Sequence, residues 1–189
     1  MDVYVNLGLL VLRLVAGLTI AAHGAQKLFG WFGGSGFGGT LKMQERMGLK
    51  PPALWAVFVI LGEFGGGLSF ALGFLTPLGA AGIFGAMFMA IAKSHWKNGF
   101  WNSKRGIEFP LQLLSAAVAI GLAGPGAYAL DALFHIALPT PQLFLILALA
   151  ALIVDSIGLV MGRAATPTSA PASAPAPSAP GGETRPRAS

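Results

Sequence analysis

The sequence predicts an all-α membrane protein: a bundle of four core transmembrane helices with a fifth added. Three observations lead there. Apolar residues make up 54% of the 189 residues and charged residues only 10%, against about 25% charged in ordinary soluble domains. The apolar residues come in blocks of roughly 17 to 23, not in amphipathic stripes, and that length crosses a bilayer's hydrocarbon core. Lys and Arg collect in alternate connections between those blocks. The blocks lack the period-two alternation of a membrane β-barrel, and the 27 glycines suit closely packed membrane helices.

The first block, residues 4–22, follows "MDVYVN" and contains Arg13. With no basic n-region and a charge inside its apolar run, it is predicted to be a span and not a cleaved signal. "GWFGGSGFGG", residues 30–39, is too Gly-rich for a stable helix and is expected to be a surface loop whose Trp and Phe dip into the interface, with a short amphipathic helix over 40–50. Pro51-Pro52 precede the second span, 53–75, and Thr76-Pro77 turn the chain into the third, 77–92. Pro110 lies near the start of the fourth, 108–123, where a missing N–H does no harm, and Pro139 and Pro141 precede the fifth, 142–161. From residue 164 the chain reads "AATPTSAPASAPAPSAPGGETRPRAS". Ala/Pro/Ser low complexity cannot build a core, so the expected organisation is a helical bundle over 1–163 and a disordered tail over 164–189.

Charge sets the expected orientation. Lys27, Lys42, Arg46 and Lys50 fall in the first connection, Lys93, Lys97, Lys104 and Arg105 in the third, and Arg163, Arg185 and Arg187 after the last span. The N-terminus and the second and fourth connections hold none. The positive-inside rule then puts the N-terminus outside and the C-terminus in the cytoplasm of a multi-pass inner-membrane protein. The net charge of +5 is explained by loops facing anionic lipid, and no basic helix or aromatic platform points to nucleic acid. The absence of cysteine excludes disulfides, Cys-ligated metal and thiol catalysis by this chain. No Walker loop, nucleophile elbow or HExxH motif occurs, and "GWFGGSGFGG" follows no strand, which removes a dinucleotide reading.

Ionisable groups inside the apolar blocks are the candidates for function. Glu63 interrupts "ALWAVFVILGEFGGGLSFALGFL" and Arg13 interrupts span one. Each is about ten residues from a span end, so both are expected near the midplane, where an unpaired charge costs at least about 2.5–3.5 kcal/mol. An Arg13–Glu63 ion pair between antiparallel helices is the predicted solution. It can be purely structural, or it can anchor a polar substrate or relay protons. Gly62 and Gly66, and Gly82, Ala86 and Ala90, form small faces that allow close helix approach in either case.

A second group gathers at the basic ends: His23 and Lys27 after span one, His95 at the end of span three, and Glu108 with Gln112 and Ser115 on one face of span four. Each has an ordinary role available. His95 and Glu108 suit the helix ends they occupy, and Lys27 can snorkel to headgroups. Together they can line one pocket. Two His and a carboxylate from three separate segments make a weak metal signal, and no metal site is assigned. Bis-His haem lacks a motif. Neutral histidines exchange protons near pH 7, which would serve a quinone at the membrane surface. Asp131 and His135 in "GPGAYALDALFH" are expected to be turn and interface residues, and Asp155 is expected to balance Arg163.

These blocks resemble the DoxX family of small integral membrane proteins. "HGAQKLFGWFGG", preceded by Arg13 and Gly17, is similar to the family's first block, and "GEFGGGLSFALGFLTP" (Glu63, Gly66, Gly73, Thr76) to its second. "HWKNGFW" and "RGIEFPL" are similar to its third, and "GPGAYALD" to its "GPG…LD" ending, so the resemblance covers roughly residues 5 to 132. It implies a small helical bundle, usually of four spans, with redox association: relatives include the membrane subunit of a thiosulfate:quinone oxidoreductase. It implies His23, Lys27, Glu63, His95 and Glu108 as working residues, with membrane lipid and a soluble redox partner as partners and quinone as the cofactor to test. Whether the chain turns over by itself stays open. The competing expectation is a non-enzymatic small-solute permease or a membrane scaffold for a soluble redox protein. The fifth span and the Pro-rich tail depart from the family pattern.

Overall fold

Pro, Gly and polar loop residues break the apolar blocks where helices must stop, and the computed structural model, which describes residues 2–163, is helical throughout. The elements are α1 (Val3–Leu28), α2 (Gly36–Arg46), α3 (Pro52–Leu72), α4 (Thr76–Asn98), α5 (Glu108–Ala123), a single turn α6 (Leu130–Leu133) and α7 (Thr140–Arg163). Four of them, α1, α3, α4 and α7, are long and apolar enough to cross a membrane, and α5 is a shorter apolar helix of 16 residues. The protein is an all-α membrane protein. Residues 164–189, expected to form a disordered tail, lie outside the described residues.

Two boundaries differ from expectation with consequences. Span one was expected to end at residue 22, but α1 continues to Leu28 and so carries both His23 and Lys27 on a helix. The amphipathic helix expected over 40–50 begins at Gly36, inside the Gly-rich stretch. Tertiary anchoring overrides the weak propensity of glycine there: the buried Thr40 hydroxyl lies 3.0 Å from both the Gly36 and the Lys27 carbonyl oxygens. α2 is thereby tied to the last turn of α1.

Glycines set how closely α1, α3 and α4 approach. A Cβ on Gly17 would lie 2.6 Å from the Ala71 backbone nitrogen, one on Gly67 would meet Ala21, and one on Gly24 would collide with the Phe64 backbone. On the other face of α3, Gly62 lies against Gly82 and Gly66 against Gly79. Lipid supplies no hydrophobic force between helices, so backbone-close van der Waals packing holds such bundles together. Around this seam Ile20, Phe70, Ile83, Leu113, Ile120 and Phe144 join all five long helices in one core. α7 runs parallel to α4 and packs along it. Its Leu145, Ile146, Leu149, Ile153, Ile157 and Val160 are exposed, as a lipid-facing surface requires. Exposed Trp31, Phe32, Trp96, Phe100 and Trp101 ring one end, and Tyr4, Tyr128 and Phe134 lie at the other, where amphipathic rings settle at the two interfaces.

Candidate functional site

Glu63 pairs with Lys27, and the expected Arg13–Glu63 pair does not form. The glycine seam explains why. Gly17 against Ala71 and Gly24 against Phe64 fix an antiparallel register that sets Glu63 level with Ala25 and Arg13 level with Leu75. Arg13 and Lys27 are fourteen residues apart on one helix, about 21 Å along its axis. Estimating depth from a span that stopped at residue 22 removed Lys27 from the helix and made Arg13 the nearest cation. Glu63 is buried, and the Lys27 side chain keeps 24% of its surface. The carboxylate sits in a π turn, Leu61–Gly65, within α3. Such turns carry one extra residue, re-aim the side chains beside them and occur often at functional sites.

Arg13 belongs to a separate lock at the opposite end. It is fully buried, donates to the Tyr128 carbonyl at 2.8 Å and to the Ala71 carbonyl at 3.4 Å, and feels the charge of Asp131. Its guanidinium occupies the space a Cβ would need on Gly73, whose φ of +65° is the left-handed region that glycine tolerates. Asp131 closes the start of α4 by accepting from Leu75 N at 2.7 Å, Thr76 N at 2.9 Å and the Thr76 hydroxyl at 2.6 Å. Asn6 fastens the same loop by accepting from Ala127 N at 2.8 Å. Asp131, expected to be a turn residue, is therefore a buried capping group; His135 lies outside the lock with φ +53°.

A cavity of about 1080 Å³ runs along α4 between α3 and α7, from Phe74, Leu75 and Leu78 near the level of Arg13 to His95 and Asn102 at the Lys27 end, where it reaches α1 and α2. His23, Lys27, Glu63 and His95 all line it. His23 also packs its ring against Phe109, with centroids 5.4 Å apart. His95 closes a second π turn, Ile91–His95, and its Nδ1 lies 2.7 Å from the Arg105 carbonyl. Glu108 does not line the cavity. Its carboxylate accepts from Asn102 N at 2.8 Å and holds the loop after α4 in place. Gln112 and Ser115 are exposed, and the Ser115 hydroxyl bonds back to Leu111 O. Most of the remaining lining is apolar, from residues such as Met43, Met47, Trp55, Phe58, Ala86 and Met89.

Sequence reasoning missed three parts of this region. Asp155 was assigned to charge balance, yet it is buried and lines the cavity. It is the one ionisable group within residues 140–162, an apolar run, and the logic applied to Glu63 would have singled it out. The two π turns leave no local sequence mark beyond the glycines around Glu63. Lys93, counted only as a topology charge, donates to Met47 O at 3.1 Å and ties α4 to the end of α2. Among the described residues no group of three or more His, Asp or Glu side chains could hold a metal ion.

The DoxX family model matches residues 8–96, the segment from mid-α1 to His95 that carries the Lys27–Glu63 pair. The chain is also 30% identical over 132 residues to Inner membrane protein YqjF of Escherichia coli (strain K12), covering 69% of this chain and 94% of that protein. The chain belongs to the DoxX family. Its multi-pass membrane character follows from the helices and from the relative alike. No solved structure matches it. α7, which closes one side of the cavity, lies beyond the segment that the DoxX model matches.

Proposed function

We propose that this DoxX protein is a membrane subunit or accessory of a quinone-linked oxidoreductase system, and that the cavity beside Lys27 and Glu63 receives the quinone. The observation that carries the reading is the cavity itself: about 1080 Å³, mostly apolar, with a few polar groups gathered at its Lys27 end. Ligand pockets for largely apolar molecules have this make-up, the polar groups fixing orientation. A quinone brings an apolar tail, ring oxygens that accept hydrogen bonds, and a need for proton exchange at the membrane surface. Lys27 can donate to a ring oxygen, Glu63 can hold Lys27 in place, and His23 and His95 are suited to proton exchange with water at the mouth. On this reading the basic loops face the cytoplasm, the N-terminus lies outside, and electrons come from a soluble redox partner at the exposed loop surface.

The test is thermal unfolding of the purified full-length protein in detergent with short-tailed ubiquinone and menaquinone analogues. The expected result is a dose-dependent rise in Tm that Glu63→Ala and His23→Ala abolish. Absence of stabilisation by every quinone tried, together with no quinone reduction when candidate reductants are added, would discard the reading.

A further inference from the structure

Asp155 lies on α7, about 12 Å from that helix's C-terminal end, and the proposed quinone reading gives it no role. It is 8% exposed, and among the described residues its Oδ2 has no hydrogen-bond partner. Among the described residues the other carboxylates discussed above are satisfied, Glu63 by Lys27, Asp131 by the start of α4 and Glu108 by Asn102 N, while Arg13 keeps an unpartnered Nε but donates through both of its other nitrogens. A buried carboxyl with an idle oxygen costs stability, so its retention calls for a use. Its place in the fold points to one. Opposite it on α4 stands Gly85, which brings no side chain to Oδ2; a Cβ there would lie 3.6 Å from Oδ2 and 3.1 Å from the Ala151 Cβ. Asp155 and Gly85 both line the cavity. One turn along α7, the six-membered ring of the buried Trp55 packs against Gly158. Lys93, the cation of α4 nearest this end, is aimed further along, at Met47 O and over Gly162.

We propose that Asp155 is a second ligand-contacting group of the cavity, meeting one ring oxygen of the bound quinone or quinol while Lys27 and Glu63 meet another. This rests on the quinone reading above and adds to it. A quinone head carries an oxygen at each end of its ring. One polar contact leaves such a ring free to turn, and two contacts from different helices fix it. α3 with α1 supplies the first contact and α7 the second, so α7 is a working part of the site.

The experiment uses the full chain in detergent micelles with Trp31, Trp96 and Trp101 changed to Phe, so that quenching of Trp55 fluorescence reports binding. Decylubiquinone is the probe, and a decyl phenol with a single ring oxygen is its control. Asp155→Leu should weaken decylubiquinone binding about tenfold, the worth of one hydrogen bond in a dry site. Its Tm without ligand should equal or exceed that of the parent, because an unpartnered carboxyl has been removed. Asp155→Asn, which keeps a hydrogen-bonding head, should stay within about threefold. The parent should prefer the two-oxygen ring over the phenol, and Asp155→Leu should lose that preference. If Asp155→Leu binds decylubiquinone like the parent while Glu63→Ala does not, the role of Asp155 is refuted and the quinone reading stands. If the parent shows no saturable quenching, both fall.

Discussion

Replacing Lys27 with Met tests the register that pairs it with Glu63. The change removes the cation and keeps most of the aliphatic stem, leaving the buried Glu63 carboxylate without its partner. Removing one member of a buried pair costs about 3–5 kcal/mol. Lys27 retains 24% of its side-chain surface, so water at the cavity mouth can attend the carboxylate, and the cost falls to the bottom of that range or just below it, about 2–3 kcal/mol. For a chain of this size about 2–4 °C of Tm corresponds to each kcal/mol, giving a fall of about 4–12 °C. Glu63→Leu should also destabilise, by stranding Lys27, but less, because Lys27 can swing toward water. The double variant Lys27→Met/Glu63→Leu should recover most of the loss, since an apolar pair of similar volume replaces an ion pair at little cost. The coupling in that cycle, read from thermal unfolding in detergent, should be about 2 kcal/mol or more. The cycle between Arg13→Met and Glu63→Leu should instead be additive within about 0.5 kcal/mol. Additivity for Lys27 with Glu63, or strong coupling for Arg13 with Glu63, would refute the register.

Three further outcomes are expected. Gly24→Ala forces a methyl group into the Phe64 backbone and should cost about 1–3 kcal/mol, whereas Gly8→Ala, with nothing within 4 Å, should be neutral or gain up to about 1 kcal/mol by helix propensity; paired melting curves in one detergent check both. Asp131→Ala strips the acceptor from Leu75 N and Thr76 N and leaves Arg13 without a nearby carboxylate, a loss of about 2–4 kcal/mol, while Asp131→Asn, keeping one acceptor oxygen, should lose less. Glu108→Ala should leave the bundle's melting nearly unchanged but speed hydrogen exchange at the Asn102 amide, because that amide's bond is to the Glu108 carboxylate.

The membrane fold was legible because its signal is coarse: block length, charge alternation and proline placement survive errors of several residues. The polar lining of the cavity was legible as a set of residue types and not as a set of partners. His23, Lys27, Glu63 and His95 were identifiable because polar groups in or beside apolar blocks are costly and so conspicuous. Who meets whom depends on helix register, and register here is fixed by Gly17, Gly24 and Gly67 meeting Ala71, Phe64 and Ala21. Nothing local distinguishes those glycines from Gly8, which packs against nothing. An error of six residues in the end of α1 was enough to exchange Lys27 for Arg13 as the partner of Glu63. Asp155 was lost for a related reason: a charge near a span end reads as interfacial, and its burial depends on how α7 docks on α4, which is a tertiary fact.

The two ends of the bundle divide the work, and their polar groups show how. At the Arg13 end the polar side chains are spent on the protein's own backbone: Arg13 on Tyr128 and Ala71 carbonyls, Asp131 on the start of α4, Asn6 on Ala127 N. Groups committed in this way hold helices together and have little left to offer a ligand. At the Lys27 end the balance is different. Lys27 meets Glu63, which sits in a π turn on the wall of a cavity, His23 packs on the Phe109 ring, and among the described residues Asp155 Oδ2 finds no hydrogen-bond partner. A fold built for stability alone would have filled that volume with side chains, as it did around Phe70 and Ile83. Keeping a cavity lined with under-used polar groups lowers stability, and proteins retain such costs where a ligand recovers them on binding. The rigid lock at one end holds α1 and α3 in register, and that register is what keeps Lys27 facing Glu63 at the other.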